Sequence, residues 1–159
     1  FPILFDEKPP DTVAKLAARV KLAKQDQDVR LVFVDHIQLF PTPRGMAKHE
    51  FLTELVAQFK QMAKDLQVTV VMLNQLNTPE EKDGKQSREP TDQDLRGAKA
   101  VYQSLDVSML LHRKDDKDPK LKVKVTKAKK GVSGEFYLHF VGETQQVLPW
   151  VNLPGQDEF

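Results

Sequence analysis

Two short runs, Val29 to Asp35 and Val68 to Leu73, are largely apolar and β-branched and show no alternation. A strand of that kind is covered on both faces, which places the two runs in a parallel sheet. Between them Phe51, Leu52, Leu55, Val56, Phe59, Met62, Ala63 and Leu66 fall on one wide stripe at helical spacing, predicting a helix from about Lys48 to Leu66. Strand, helix and strand follow one another within about forty residues, the length of a right-handed βαβ unit. The chain is thereby confined to the α/β class.

The flanking segments extend this pattern. Val13, Leu16, Ala17 and Val20 recur at helical spacing, so a helix is expected over Thr12 to Gln25 with Asp11 as its N-cap. A loop with Pro41, Pro43 and Gly45 leads into the central helix. The polar stretch from Asn74 to Pro90 is too long for a plain connector. After it come a short helix from about Asp92 to Ser104, a third buried strand from Asp106 to Leu111 and a charged turn from Lys114 to Pro119. Leu121, Val123 and Val125 then alternate with Lys120, Lys122 and Lys124, and Phe136, Leu138 and Phe140 repeat the rhythm beyond Gly131 and Gly134, giving an antiparallel hairpin. Residues 1–148 are read as one folded region and 149–159 as a tail that is loosely held or docks on a neighbour.

Composition narrows the partners less than the pattern does. A net charge of +1 gives no global pull on nucleic acid or anionic lipid, so any polyanion contact has to be local. The chain has no cysteine, which excludes thiol chemistry. With no apolar run near the roughly 20 residues of a membrane helix and no signal-peptide pattern, a soluble, cytoplasmic protein is expected.

The strand ends are where chemistry is expected. Asp35 closes its strand at the carboxyl end, where open α/β sheets bind their ligands. In P-loop ATPases this place belongs to the Walker B aspartate, which holds Mg²⁺ through its water shell; an aspartate that merely caps the next turn reads equally well from this strand alone. The second strand ends in Asn74 and Gln75, where a glutamine can sense a γ-phosphate, or can simply bond the backbone at a loop start. By strand parity the apolar face of Leu121, Val123 and Val125 runs on to Lys127 and Lys129. Two ammonium groups there need a carboxylate, a phosphate or a subunit boundary, unless the strand has emerged into solvent. From Arg113 to Lys130 there are nine basic and three acidic residues, a surplus suited to polyphosphate or to a solvated hairpin. Arg96, Gly97 and Lys99 follow the long polar loop and suit a phosphodiester track, but aromatic residues for stacking are missing there apart from Tyr102. The four histidines show no ligand spacing, so a zinc site is not expected.

Taken in order, Leu31-Val-Phe-Val-Asp-His-Ile-Gln-Leu39, Val70-Val-Met-Leu-Asn-Gln-Leu-Asn77, Asp94-Leu-Arg-Gly97 and Lys127-Ala-Lys-Lys-Gly131 resemble successive motifs of the DnaB-type replicative helicases. The likeness runs from about residue 3 to 148, and His36 resembles the phage primase-helicase branch. It implies a RecA-like core with a parallel sheet, flanking helices and a C-terminal antiparallel hairpin. It also implies ATP and Mg²⁺ as cofactors, with Asp35 as the Walker B aspartate and Gln75 as the residue that reports the γ-phosphate to the DNA-binding loops. The loops at Pro41 to His49 and Asn77 to Gln93, with Arg44, Lys48, Arg96, Gly97 and Lys99, would line the channel of a homohexamer that holds single-stranded DNA. Lys127 and Lys129 would reach the nucleotide of the adjacent subunit. The family carries an arginine finger at the second of these positions, and Lys129 offers a point charge in place of a planar fork. A primase or a helicase loader is the further partner implied, in a bacterial or phage-infected cell.

One motif of the family is absent: Gly-x-x-x-x-Gly-Lys-[Ser/Thr] occurs nowhere in the chain, and no candidate for the catalytic glutamate stands before Asp35. The reading is therefore of an incomplete domain, the C-terminal part of a motor whose phosphate cradle precedes Phe1, leaving a gap between the strands at 68–73 and 106–111. Two other classes compete with the helicase: a RecA-like recombination mediator or clock-type ATPase that does not unwind, and a catalytically inactive assembly fragment.

Overall fold

The stripe of apolar residues after the first loop forms α2, Lys48–Leu66, in the computed structural model, which describes residues 3–8, 11–76, 88–94 and 98–151. Leu52, Leu55, Val56, Phe59 and Met62 are buried along it. Phe59 is completely covered and meets the Phe40 ring edge-on, with centroids 5.5 Å apart. The helix ends where Gln67 turns left-handed and its amide closes on the carbonyls of Ala63 and Lys64. Lys24 Nζ reaches the carbonyls of Leu66 and Gln67 at 2.6 and 3.1 Å, a cation placed at the negative end of the helix dipole.

The first helix, α1, spans Val13–Gln27 and packs on α2. Its cap is Thr12, whose hydroxyl accepts the Lys15 amide at 3.3 Å, and not the expected Asp11. Thr12 has the extended backbone that an N-cap adopts, while Asp11 ion-pairs Lys15 Nζ at 2.7 Å. The strands β1, Leu31–Val34, and β2, Thr69–Met72, pair in parallel with Val34 opposite Met72, completing the expected βαβ unit. Coverage of β1 differs from the sequence expectation. Its residues alternate, with Leu31 and Phe33 47% and 65% exposed and Val32 and Val34 half-buried, so among the described residues only one face is covered.

The helix expected from Asp92 to Ser104 is a 3₁₀ turn at Asp92–Asp94 and an α-helix, α3, at Ala98–Ser104; Leu95, Arg96 and Gly97 lie outside the described residues. Helix α3 packs on α2, and Lys60 Nζ donates to the Ser104 carbonyl at 2.6 Å. These elements belong to a first compact unit drawn from residues 1–75 and 95–104.

A second unit, residues 76–94 and 105–159, is built on a four-stranded antiparallel sheet ordered β3-β4-β5-β6. Its strands are Val107–His112, Lys120–Ala128, Gly134–Val141 and Gln146–Pro149. The hairpin read from alternation is β4 with β5. β3, read as a buried strand, is half-open: Val107, Met109 and Leu111 are 52%, 55% and 60% exposed, while Ser108 and Leu110 are buried. β6 is not legible in the sequence, and Pro149, expected to open the tail, ends it opposite Leu138. Residues 152–159 of that tail lie outside the described residues.

Candidate functional site

The carboxyl ends of β1 and β2 are tied to each other. Leu73 N donates to Val34 O at 2.9 Å and Ile37 N to Leu73 O at 3.1 Å, so the two strand-end loops leave the sheet together. Asp35 stands between these bonds, exposed, and among the described residues its carboxylate has no ion pair or hydrogen bond. The Asp35–His36 peptide is cis. Gln75 Nε2 lies 3.2 Å from His36 Nε2; an amide nitrogen can only donate, so the ring nitrogen accepts. Gln38 Nε2 donates to Asn74 Oδ1 at 2.6 Å and to the Gln75 carbonyl at 3.0 Å. The structure thus brings Gln75 to the residue beside Asp35, on adjacent parallel strands.

Sequence reasoning overlooks the residues that make this link. Gln38, a polar residue between Ile37 and Leu39, and His36 carry these side-chain bonds between the two loops. Gln38 Oε1 and His36 Nδ1 are buried without a hydrogen-bond partner among the described residues. An unpaired buried polar atom costs on the order of 1–3 kcal/mol, so this cluster gains from meeting a further polar group.

A magnesium ion fits this corner. Mg²⁺ keeps several waters and takes only one or two carboxylates, and a single exposed, unpaired aspartate supplies that. Among the described residues no group of three or more His, Asp or Glu side chains converges to hold a metal through protein ligands alone. Asp35 is thus suited to a hydrated ion shared with phosphate oxygens.

The other candidates are spread over both units. Arg44, in the turn completed by Gly45 at φ 81°, and Lys48, which opens α2, are both exposed. Arg96 and Gly97, and the loop residues 77–87, lie outside the described residues; Lys99 is in α3. The parity argument for Lys127 does not survive. Met109 pairs Val125 but Ser108 pairs Lys127, so Thr126 is an extra residue in β4. Such a bulge reverses the facing of the residues after it, and Lys127 shares a face with Ser108 instead of continuing that of Val125. Lys129 lies beyond β4 and pairs with Asp106 at 2.9 Å. Both partners are largely solvent-exposed, and such pairs contribute about 0–1 kcal/mol, so the ammonium can exchange Asp106 for another anion.

Asp94, the first residue of the Asp94-Leu-Arg-Gly97 motif, is buried and locked. Arg88 Nη1 donates to it at 2.9 Å, and the Thr91 amide and hydroxyl add bonds at 2.7 and 3.0 Å. The Arg88 guanidinium first, then the Thr91 amide, hold its carboxyl at about 2, below the ordinary 3.8. A depressed acid pKa stabilises the fold above the unfolded value and loses that contribution as pH falls through the folded one. In Asp94→Asn, the decline of the urea midpoint between pH about 4 and about 2 is expected to be shallower than in wild type; superimposable profiles would contradict the pairing.

A two-stranded parallel βαβ core with polar strand ends, together with an antiparallel sheet, is the architecture of RecA-like ATPase cores. The solved ATPase domain of a phage DnaB-like helicase superposes with a TM-score of 0.75 over 88% of this chain and 52% of that one, at 22% identity. A DnaB-like replicative helicase whose structure was determined with its primase interactions gives 0.73 over 86% of this chain and 34% of that one, also at 22%. These fix the fold. The chain belongs to the DnaB-like helicase C-terminal domain family, whose model matches residues 1–148. It is 34% identical over 116 residues to the replicative DNA helicase DnaB of Mycobacterium intracellulare, and 28% over 160 to the replicative DNA helicase DnaC of Bacillus subtilis. The matches cover 72% and 95% of this chain but only 20% and 34% of those relatives, so it spans about a fifth to a third of their length.

Proposed function

We propose that this chain is the strand-end half of the motor of a replicative DNA helicase, which hydrolyses ATP at subunit interfaces and moves as a homohexamer along single-stranded DNA. The observation that carries the reading is the junction at the ends of β1 and β2, where His36 and Gln38 connect the Asp35 loop to Gln75. Asp35 holds the hydrated magnesium of the nucleotide, which neutralises developing phosphate charge. Gln75, tethered to the same corner, transmits the state of that corner to the segment beyond it. Lys127 and Lys129 serve the nucleotide of the adjacent subunit, Lys129 by releasing Asp106. Arg44, Lys48, Arg96, Gly97 and Lys99 contact the DNA backbone, which fixes position but not sequence. Primase or a loader is the expected further partner.

The phosphate cradle motif does not occur in these 159 residues, so the chain by itself is expected to turn over no ATP. DNA contact is tested with the intact protein that carries the chain. Arg96→Ala is expected to weaken single-strand binding similarly for all sequences and to make the slope of log affinity against log salt shallower by about 0.7, the value for one released phosphate contact. An unchanged slope would remove Arg96 from the DNA path.

A further inference from the structure

Stacking residues, absent from the segment around Arg96, are present on one face of the antiparallel sheet. Directly opposed residues in an antiparallel pair share a face. Lys120 is opposite His139, Lys122 opposite Tyr137 and Lys124 opposite Glu135, while His112 on β3 is opposite Lys122. Trp150, just past β6, joins them: its ring stacks on His139 at 6.0 Å with planes 30° apart. Lys120 Nζ stands 4.3 Å from the Tyr137 centroid and 5.2 Å from that of Trp150. Three rings and a row of lysines thus lie together on neighbouring strands.

The charges on this face are not equivalent. Lys122 is bridged by Glu89 at 3.0 Å and Glu135 at 3.1 Å, so those three groups neutralise one another within the fold. Lys120 and Lys124 are exposed and form no ion pair among the described residues. A cleft of about 450 Å³ opens beside them, lined in part by Arg88, His112, Lys114, Lys120 and Tyr137. The nearby Asp118 carboxylate is engaged by the Lys120 amide at 2.8 Å. What remains available is ring faces and uncommitted ammonium groups, complementary to a chain of bases joined by phosphates.

We infer that the face bearing Lys120, Lys124, Tyr137, His139 and Trp150 is a second binding surface for single-stranded nucleic acid, on which bases stack against the rings and phosphates meet the lysines. An aromatic platform on a sheet, with basic residues on adjacent strands, is a general solution for unpaired strands because every base has a π-face. Lys120 is the hinge of the arrangement. In the free protein its ammonium rests on Tyr137 and Trp150; an incoming base takes that place and the ammonium turns to the phosphate. None of Arg44, Lys48, Arg96, Gly97 or Lys99 belongs to this face, so it is a different set of residues from the proposed channel contacts.

The chain has a single tryptophan, Trp150, so its emission reports on this face alone. The test is a titration of the chain with ten-nucleotide oligo-dT and oligo-U, with a DNA duplex as a third arm. Saturable quenching by the single strands, weaker for the duplex, is expected; equal strength for the two sugars would mean recognition through bases and phosphates alone, and a preference for one would assign the natural strand. Lys120→Gln, an exposed substitution that spares the fold, and Tyr137→Leu are each expected to weaken binding on the order of tenfold. No quenching at any strand concentration overturns the inference. So does quenching that Arg96→Ala removes while Lys120→Gln and Tyr137→Leu leave it intact, since the strand is then held by the channel segment.

Discussion

Asp35→Ala in the intact protein that carries this chain is expected to lower ATP turnover by at least about a hundredfold while leaving the thermal unfolding midpoint in place. A metal ion acting on phosphoryl oxygens contributes several kcal/mol to the transition state, and each 1.36 kcal/mol is a factor of ten. The fold should not notice the change, because Asp35 is exposed and has no side-chain partner among the described residues. The two readouts separate a site residue from a structural one. Turnover within a few-fold of wild type would remove Asp35 from the metal site, and a loss accompanied by unfolding would mean that the carboxylate supports the strand end instead.

The largest effect on stability is expected at Phe59. It is fully covered at the middle of α2 and packs edge-on against Phe40. Phe59→Ala leaves a cavity among Leu52, Leu55, Val56 and Met62 and should cost about 3–5 kcal/mol, a large part of the stability of an ordinary domain. Urea denaturation followed by circular dichroism checks this: the midpoint should drop steeply, or the variant should fail to fold. A cost below about 1 kcal/mol would mean that α2 is not the centre of its unit's core.

How far a sequence carries a fold depends on whether the deciding interactions are local. The stripe on α2 and the apolar runs of β1 and β2 announce themselves because helix and strand periodicities are properties of one segment. The bulge at Thr126 does not: it is a mismatch between two strands, visible only when Met109 is set against Val125 and Ser108 against Lys127. For the same reason parity along β4 gives the wrong facing for Lys127. The open faces of β1 and β3 also escape, since unbroken apolar runs look alike whether one or both sides are covered by the described residues. At the site, the strand-end logic picks out Asp35 and Gln75, but their link through His36 and Gln38 rests on side-chain bonds spanning 36 to 39 positions, which no local pattern encodes. The sheet face of Tyr137, His139 and Trp150 is likewise a product of register, with Trp150 brought in by a strand that alternation does not reveal.

That this chain belongs to a motor that separates strands is tested most directly by strand displacement. The intact protein is given a forked duplex with a single-stranded tail, ATP and magnesium, and release of the labelled strand is followed, with Asp35→Ala in parallel. Release is predicted to require both ATP and the tail and to be abolished by Asp35→Ala. Hydrolysis of ATP on single-stranded DNA with no strand release would contradict the motor and leave a RecA-like ATPase that binds DNA without unwinding.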